Sequence, residues 1–324
     1  MKFSHREEKR QVRQGTDLPG QDRQLDVLTD EENGLRIIVS RLGAELVSLA
    51  RMDEAGEWIG FLYRDDDISS PPSGWANHAT VMGYYLHRLK DGRSLYRGQE
   101  IRGGTHSFLR SKPWRLIEAK TDKPASLTYR ITPDDFSKTE YPLRVSLDLT
   151  YQIDQAKVTV AFAFQNHEAE LTAHLEFGLH PGFAATAFDT FHLQIPPGLY
   201  RRHFAPGNYL SGETRDLELP GGEMPWPKSE LPGSIILELV DVPLREFAYV
   251  DPPSGRWVTV DLAGVPYVTL WSDGGPFLCV EPCWGLTDHH DQRPFEKKEG
   301  IQTIPAGGEL RASFSMTPQL ASFD

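Results

Sequence analysis

Cysteine is almost missing from this chain: Cys279 and Cys283 are the only two in 324 residues. That excludes a fold stapled by several disulfides and points to a reducing compartment. No run of 18 apolar residues occurs, so no membrane-spanning helix is expected. Residues 1–24 are polar and densely charged (Arg6, Glu7, Glu8, Lys9, Arg10) and lack the apolar segment of an export signal. The expectation is a cytoplasmic protein, with residues 1–24 as a loosely ordered polar arm before one domain over 25–324. Positive charge is in deficit, 34 Lys and Arg against 46 Asp and Glu, for a net of -12. Such a field repels nucleic acid and anionic membranes and leaves a neutral or cationic ligand favoured. There is no G-x-S-x-G elbow, no P-loop, no G-x-G-x-x-G after a strand and no C-x-x-C pair, which sets several common chemistries aside. Sustained helical periodicity is also missing.

What the chain does have is turn-forming residues, 28 Gly and 24 Pro, spread among short apolar stretches. This suits many strands joined by turns. Strands are expected at 35–40 and 43–49 around a glycine turn, followed by a Ser- and Pro-rich loop over 65–76. The alternation is cleanest over 143–166, where Val145, Leu147, Leu149 and Tyr151, then Val158, Val160, Phe162 and Phe164, predict a hairpin turning at 154–156. A third strand is expected over 172–179. On it His174, Glu176, Gly178 and His180 share one parity and so one face of a sheet. Long loops and short edge strands are expected over 196–232, and strands again over 257–262, 267–271, 277–281 and 310–316.

Two polar residues stand out on otherwise apolar stretches. His180 ends the run Leu175-Glu176-Phe177-Gly178-Leu179 and enters a turn bounded by Pro181 and Gly182, and Glu281 closes Phe277-Leu278-Cys279-Val280. A carboxylate losing its hydration there has a raised pKa and suits a general base, and imidazole suits the matching acid. Read singly, a histidine before proline is more often a hydrogen-bonded turn residue, and a Glu-Pro pair often merely ends a strand. The elements 84–89 and 105–110 carry His87, Arg88, His106 and Arg110 beside aromatic residues. They are either edge strands with wet polar groups or parts of a sugar site, where ring faces stack on CH groups and charged ends bond hydroxyls. Arg201-Arg202-His203 is read as a solvated loop face and the two cysteines as small packing residues. In His289-His290-Asp291 adjacent histidines point to opposite faces, which argues against metal ligation.

Taken together, Leu86-His87-Arg88-Leu89, Gly104-Thr105-His106-Ser107-Phe108-Leu109-Arg110 with Trp114, Gly178-Leu179-His180-Pro181-Gly182-Phe183 and Phe277-Leu278-Cys279-Val280-Glu281-Pro282 come in an order that resembles the aldose 1-epimerase (galactose mutarotase-like) family. The close, Gly300 to Gly307 before a last strand, is similar too, so the likeness spans roughly residues 30–318. It implies an all-β fold, a large antiparallel β-supersandwich with few short helices. It implies His180 as general acid at the sugar ring oxygen, Glu281 as general base at the anomeric hydroxyl, and Arg88 and His106 as contacts to sugar oxygens. No cofactor or metal is implied, and the expected partner is a small sugar, with neither nucleic acid nor membrane; the oligomeric state stays open. Ser107 stands where the family usually has glycine, Gly182 where it often has tyrosine, and Cys283 separates Glu-Pro from its usual tryptophan. For a further substrate-binding acid, Asp251 and Asp261 are the candidates. Three other readings compete: a hexose-6-phosphate mutarotase using Arg88, Arg201 or Arg202, a non-catalytic carbohydrate-binding domain of the same fold, and a metal site built from His106, His180 and Glu281.

Overall fold

The structure, a computed structural model, describes residues 3–11, 22–69, 71 and 73–321. Burial alternates where the sequence alternates. In Val145–Asp154 and Lys157–Asn166 every second residue is buried, and the two strands pair antiparallel from Val145 opposite Asn166 to Asp154 opposite Lys157. Gln155, at φ 58°, makes the turn. This hairpin lies within a nine-stranded sheet, where Glu309–Leu320 pairs with one of its strands and Ala125–Ile131 with the other.

An eight-stranded sheet packs against that one. Its strands run in the order Thr214–Leu219, Gly198–His203, Ile235–Asp241, Tyr267–Trp271, Phe277–Trp284, Ala173–Ala184 and Gln302–Ile304, with Ala79–Tyr84 also paired to Ala173–Ala184. Phe177 meets Phe162 and Phe164 across the core, with ring centroids 5.1 and 4.7 Å apart, and stacks on Trp284 at 4.9 Å. Residues of the opposite parity, Glu176, Gly178 and His180, therefore point to the other face. A five-stranded sheet, from Phe3–Gln11 to Trp58–Gly60 in simple succession, is tied on by Tyr129, whose hydroxyl donates to Asp26, and Tyr151, whose hydroxyl donates to the Ala44 carbonyl. Every strand pairing inside these sheets is antiparallel, and the helices among the described residues are single 3₁₀ segments of three to six residues. This is the large antiparallel β-supersandwich that was expected.

Several local expectations are corrected. The arm expected over 1–24 contains a strand, Phe3–Gln11, in register with Asp22–Asp30; the stretch 12–21 lies outside the described residues. The elements 84–89 and 105–110 are not edge strands: Ala79–Tyr84 ends as they begin, and they run as loops and a 3₁₀ turn at Leu109–Ser111. His180 is not in a turn and Glu281 does not end a strand, because Ala173–Ala184 and Phe277–Trp284 continue through Pro181 and Pro282. Proline lacks a ladder donor, yet it is tolerated where no ladder bond is made. Pairing between these two strands runs from Phe177 opposite Trp284 to Gly178 opposite Cys283, then resumes at Gly182 opposite Cys279. Both prolines fall in that gap.

Candidate active site

Continuing the register on either side of the gap sets His180 opposite Glu281. Glu281 in turn stands opposite Thr269, Thr269 opposite Ile236, and His180 opposite Thr80 on its other side. Directly opposed residues of an antiparallel sheet point to one face. One row of the eight-stranded sheet thus delivers His180, Glu281, Thr269 and Ile236 to the floor of a cavity of about 340 Å³. The other parity of the same strands, Leu179, Val280, Val268, Leu270 and Leu237, belongs to the main hydrophobic core, which fixes the row rigidly.

Within the cavity His180 Nε2 lies 3.2 Å from Glu281 Oε1, and both side chains are almost wholly buried, at 5 % and 1 % exposure. Burial pushes each toward its neutral form. The Glu281 carboxyl is raised well above its ordinary range by desolvation, while His180 is lowered to about 3 by burial, with further lowering from His87 and Arg110. A proton held between them would sit either as glutamic acid beside imidazole or, once transferred, as carboxylate beside imidazolium. Glu281 Oε2 and His180 Nδ1 have no hydrogen-bond partner among the described residues.

Loops complete the walls. The segment after Ala79–Tyr84 brings His87 and Arg88; His87 takes a left-handed φ of 50°, and its Nδ1 lies 3.9 Å from Glu281 Oε2. His106 sits edge-on to His180, ring centroids 4.9 Å apart, and its backbone N–H donates to the His87 carbonyl at 2.7 Å. His106 is lowered well below 6.5 by burial first and then by His180, His87, Arg110 and Arg88, and His87 is lowered to about 4 by burial, Lys298 and Arg88. The surroundings of the pair are therefore neutral imidazoles and cationic guanidiniums. Beneath them Glu176, fully buried, accepts from Lys298 Nζ at 2.6 Å and from the backbone N–H groups of Leu86 and Leu286. That carboxylate fastens the loop preceding His87 and the loop after Trp284 to the strand that carries His180.

All four residues singled out in the sequence, His180, Glu281, Arg88 and His106, line this one cavity. Neither candidate for a further acid does. Asp251 is consumed by Thr186, Thr190 and Ser254, and Asp261 lies outside the cavity lining, accepting from the Ala263 N–H. Arg201 and Arg202 are paired with Asp216 and Glu230, likewise away from the lining. The trio His106, His180 and Glu281 is not a ligand cluster. Among the described residues the group whose ligand atoms lie within 4.8 Å of one another is His87, Glu281 and Cys283. Both cysteines are buried free thiols. Reasoning from sequence named His87 and Arg110 only as members of two polar elements, and it passed over Trp75, Thr269 and Trp271. Thr269, a polar residue in the middle of Tyr-Val-Thr-Leu-Trp, was the one signal available, and Trp75 was hidden in a Ser- and Pro-rich loop.

Ser107 takes φ 66°, so the position where the family usually has glycine is a left-handed one. Gly182 has a different reason: a Cβ there would come within 2.4 Å of Trp75 Cζ3.

The family profile described as aldose 1-epimerase matches residues 26–195. Among solved structures, a galactose mutarotase related enzyme from Lactobacillus acidophilus superposes with a TM-score of 0.81 at 22 % identity, covering 92 % of this chain and 99 % of its own. A galactose mutarotase-like protein from Lactobacillus casei gives 0.78 at 19 %, covering 90 % and 100 %. An aldose epimerase homologue from C. elegans gives 0.67 at 12 %, covering 98 % and 100 %. At these identities the likeness to the solved structures is one of fold. No curated protein sequence matches.

Proposed function

We propose, from the premise that this chain belongs to the aldose 1-epimerase family, that it interconverts the α and β anomers of a free aldohexose by opening and reclosing the sugar ring. The observation that carries this reading is the 3.2 Å contact of His180 Nε2 with Glu281 Oε1 at the floor of a cavity rimmed by hydroxyl, amide and guanidinium groups. The anomeric oxygen and the ring oxygen are bonded to the same carbon, so their proton acceptor and donor must be near neighbours. Glu281 as carboxylate takes the proton of the anomeric hydroxyl while His180 as imidazolium gives one to the ring oxygen. The C1–O5 bond breaks, C1 becomes an aldehyde, and rotation about C1–C2 exposes its other face. Closure reverses both transfers and returns the pair to its starting proton count. Reaching the reactive arrangement needs one proton to pass from Glu281 to His180, and sugar hydroxyls bonded to the charged groups favour that form. Arg88, Arg110, His106 and Asn208 line the cavity and in this reading hold the sugar hydroxyls.

A second reading, a hexose 6-phosphate substrate, is favoured by one specific observation. Neither Arg88 nor Arg110 has a side-chain hydrogen bond or ion pair among the described residues, although the chain carries 46 carboxylates. Two guanidiniums without counter-ions beside a polar cavity suit a phosphate. Polarimetry on freshly dissolved aldoses, with and without a 6-phosphate, tests both. Faster mutarotation of the free sugar supports the first reading, and a preference for the phosphorylated sugar supports the second. Calorimetric sugar binding with mutarotation at the uncatalysed rate would leave a carbohydrate-binding domain.

A further inference from the structure

A catalytic histidine is ordinarily oriented by a hydrogen bond to its second ring nitrogen. His180 has none to another residue: its Nδ1 is buried and no other described residue bonds it, its own main chain being the one polar group beside the ring, while Nε2 faces Glu281. Its orientation must come from packing. The Trp75 indole stacks on the imidazole, ring centroids 5.1 Å apart and planes 28° apart, with Trp271 edge-on at 5.6 Å and His106 edge-on at 4.9 Å. The indole is itself held by Phe277, stacked at 5.1 Å, and by the backbone N–H of Trp75 donating to Asp273 Oδ2 at 3.0 Å. Gly182, two residues along the strand from His180 and on the same face, leaves the space it fills. A Cβ there would meet Trp75 Cζ3 at 2.4 Å and Cη2 at 3.0 Å. The backbone of Gly182 also anchors that loop at both ends, accepting from the Tyr63 N–H at 2.7 Å and donating to the His78 carbonyl at 2.9 Å.

We infer that Trp75 is the positioning residue for His180: the indole, seated on the bare face of Gly182, takes the place of the missing second hydrogen bond and holds Nε2 against Glu281. This deepens the epimerase reading and rests on it. A residue that merely stacked on the sugar would act through binding, and its removal would raise KM with kcat kept. A residue that aims the imidazole acts through the chemical step.

The test is a set of four variants assayed by polarimetry. Trp75→Ala is expected to lower kcat about tenfold to a hundredfold, the usual cost of losing a partner that orients a histidine, and Trp75→Phe to restore most of it by keeping a stacked ring. Gly182→Ala leaves the backbone unstrained but displaces the indole, so it should reproduce the kcat loss, and Trp75→Ala/Gly182→Ala should be no worse than Trp75→Ala alone. A second readout does not need activity. The His180 titration, followed by imidazole NMR, should move to higher pH in Trp75→Ala, since burial is what depresses it, against a background of Glu281, His106, His87 and Arg110, the charged and titratable groups that face it. Unchanged kcat in Trp75→Ala, additive losses in the double variant, or a His180 titration that does not move would each overturn the inference. If the wild type proves inactive on every sugar, the epimerase reading fails, while a His180 titration that does not move in Trp75→Ala would still overturn the positioning claim.

Discussion

Replacing Lys298 by Met removes the only cation on the buried Glu176 carboxylate among the described residues and keeps the length of the side chain. In the wild type Lys298 Nζ lies 2.6 Å from Glu176 Oε2, with side-chain exposures of 4 % and 0 %. Losing one partner of such a pair costs about 3–5 kcal/mol, because the charge left behind stays desolvated. At about 2.1 cal/mol/K per residue, 324 residues give an unfolding entropy near 0.7 kcal/mol/K, so Tm should fall by roughly 4–7 °C. Burial already raises Glu176 above its ordinary value of 4.5, and without the lysine it rises further. A carboxyl with a raised native pKa binds more protons folded than unfolded, so its contribution falls as pH climbs from 4.5 through the folded value. The deficit of Lys298→Met should therefore be largest at neutral pH and shrink toward pH 5. Glu176→Gln/Lys298→Met should recover part of the loss, since the amide carries no charge and its one oxygen still accepts from one of the two N–H groups, Leu86 or Leu286. Thermal melts at pH 5 and pH 7 measure all of this. A Lys298→Met melt within one degree of wild type at pH 7, or a deficit that grows on acidification, would refute the account of the pair.

Other outcomes follow from the same geometry. Glu281→Gln and His180→Asn should each lower kcat by about 10² to 10⁴, the range for a single acid or base, and polarimetric rates within threefold of wild type in either would remove that residue from the mechanism. Ser107→Gly should stabilise the fold by about 1 kcal/mol by relieving the left-handed φ of 66°, read as a higher urea midpoint with unchanged slope; a lower midpoint would show that the serine contributes more than its strain costs. Gly178→Ala should destabilise by about 1–3 kcal/mol, because a Cβ there meets the Pro282 carbonyl oxygen at 2.4 Å, and an unchanged melt would contradict that close approach. Cys279 and Cys283, raised well above 9.0 by burial first and then by Glu281, should resist thiol reagents at mildly alkaline pH until urea is added; rapid native labelling would show an opening the structure does not contain.

Much of the sandwich was legible because a half-buried strand writes its two faces into the sequence at a period of two, and the hairpin over 143–166 does so without interruption. The same rule placed Glu176, Gly178 and His180 on one face before any neighbour was known. It misjudged the strand ends. Pro181 and Pro282 read as breakers, whereas both lie in a gap of the ladder that only the pairing of two strands about a hundred residues apart creates. The elements around Arg88 and His106 read as edge strands because their composition fits one, but whether such a stretch pairs depends on the sheet beside it.

The sequence by itself determined that this chain is all-β, that His180 and Glu281 are polar groups held on apolar strands, and that Arg88 and His106 sit beside aromatics near glycine turns. These are local properties, set by side-chain alternation and turn chemistry. Only the tertiary structure decided that His180 faces Glu281, since that follows from a register fixed by the apolar faces of both strands packing in one core. It also decided that His87, Arg110 and Trp75 arrive from three separate loops, and that Asp251 does not. Gly182 shows the difference most plainly: in the sequence it is a missing side chain, and in the fold it is the seat of an indole from a residue more than a hundred positions earlier, a contact no local pattern encodes.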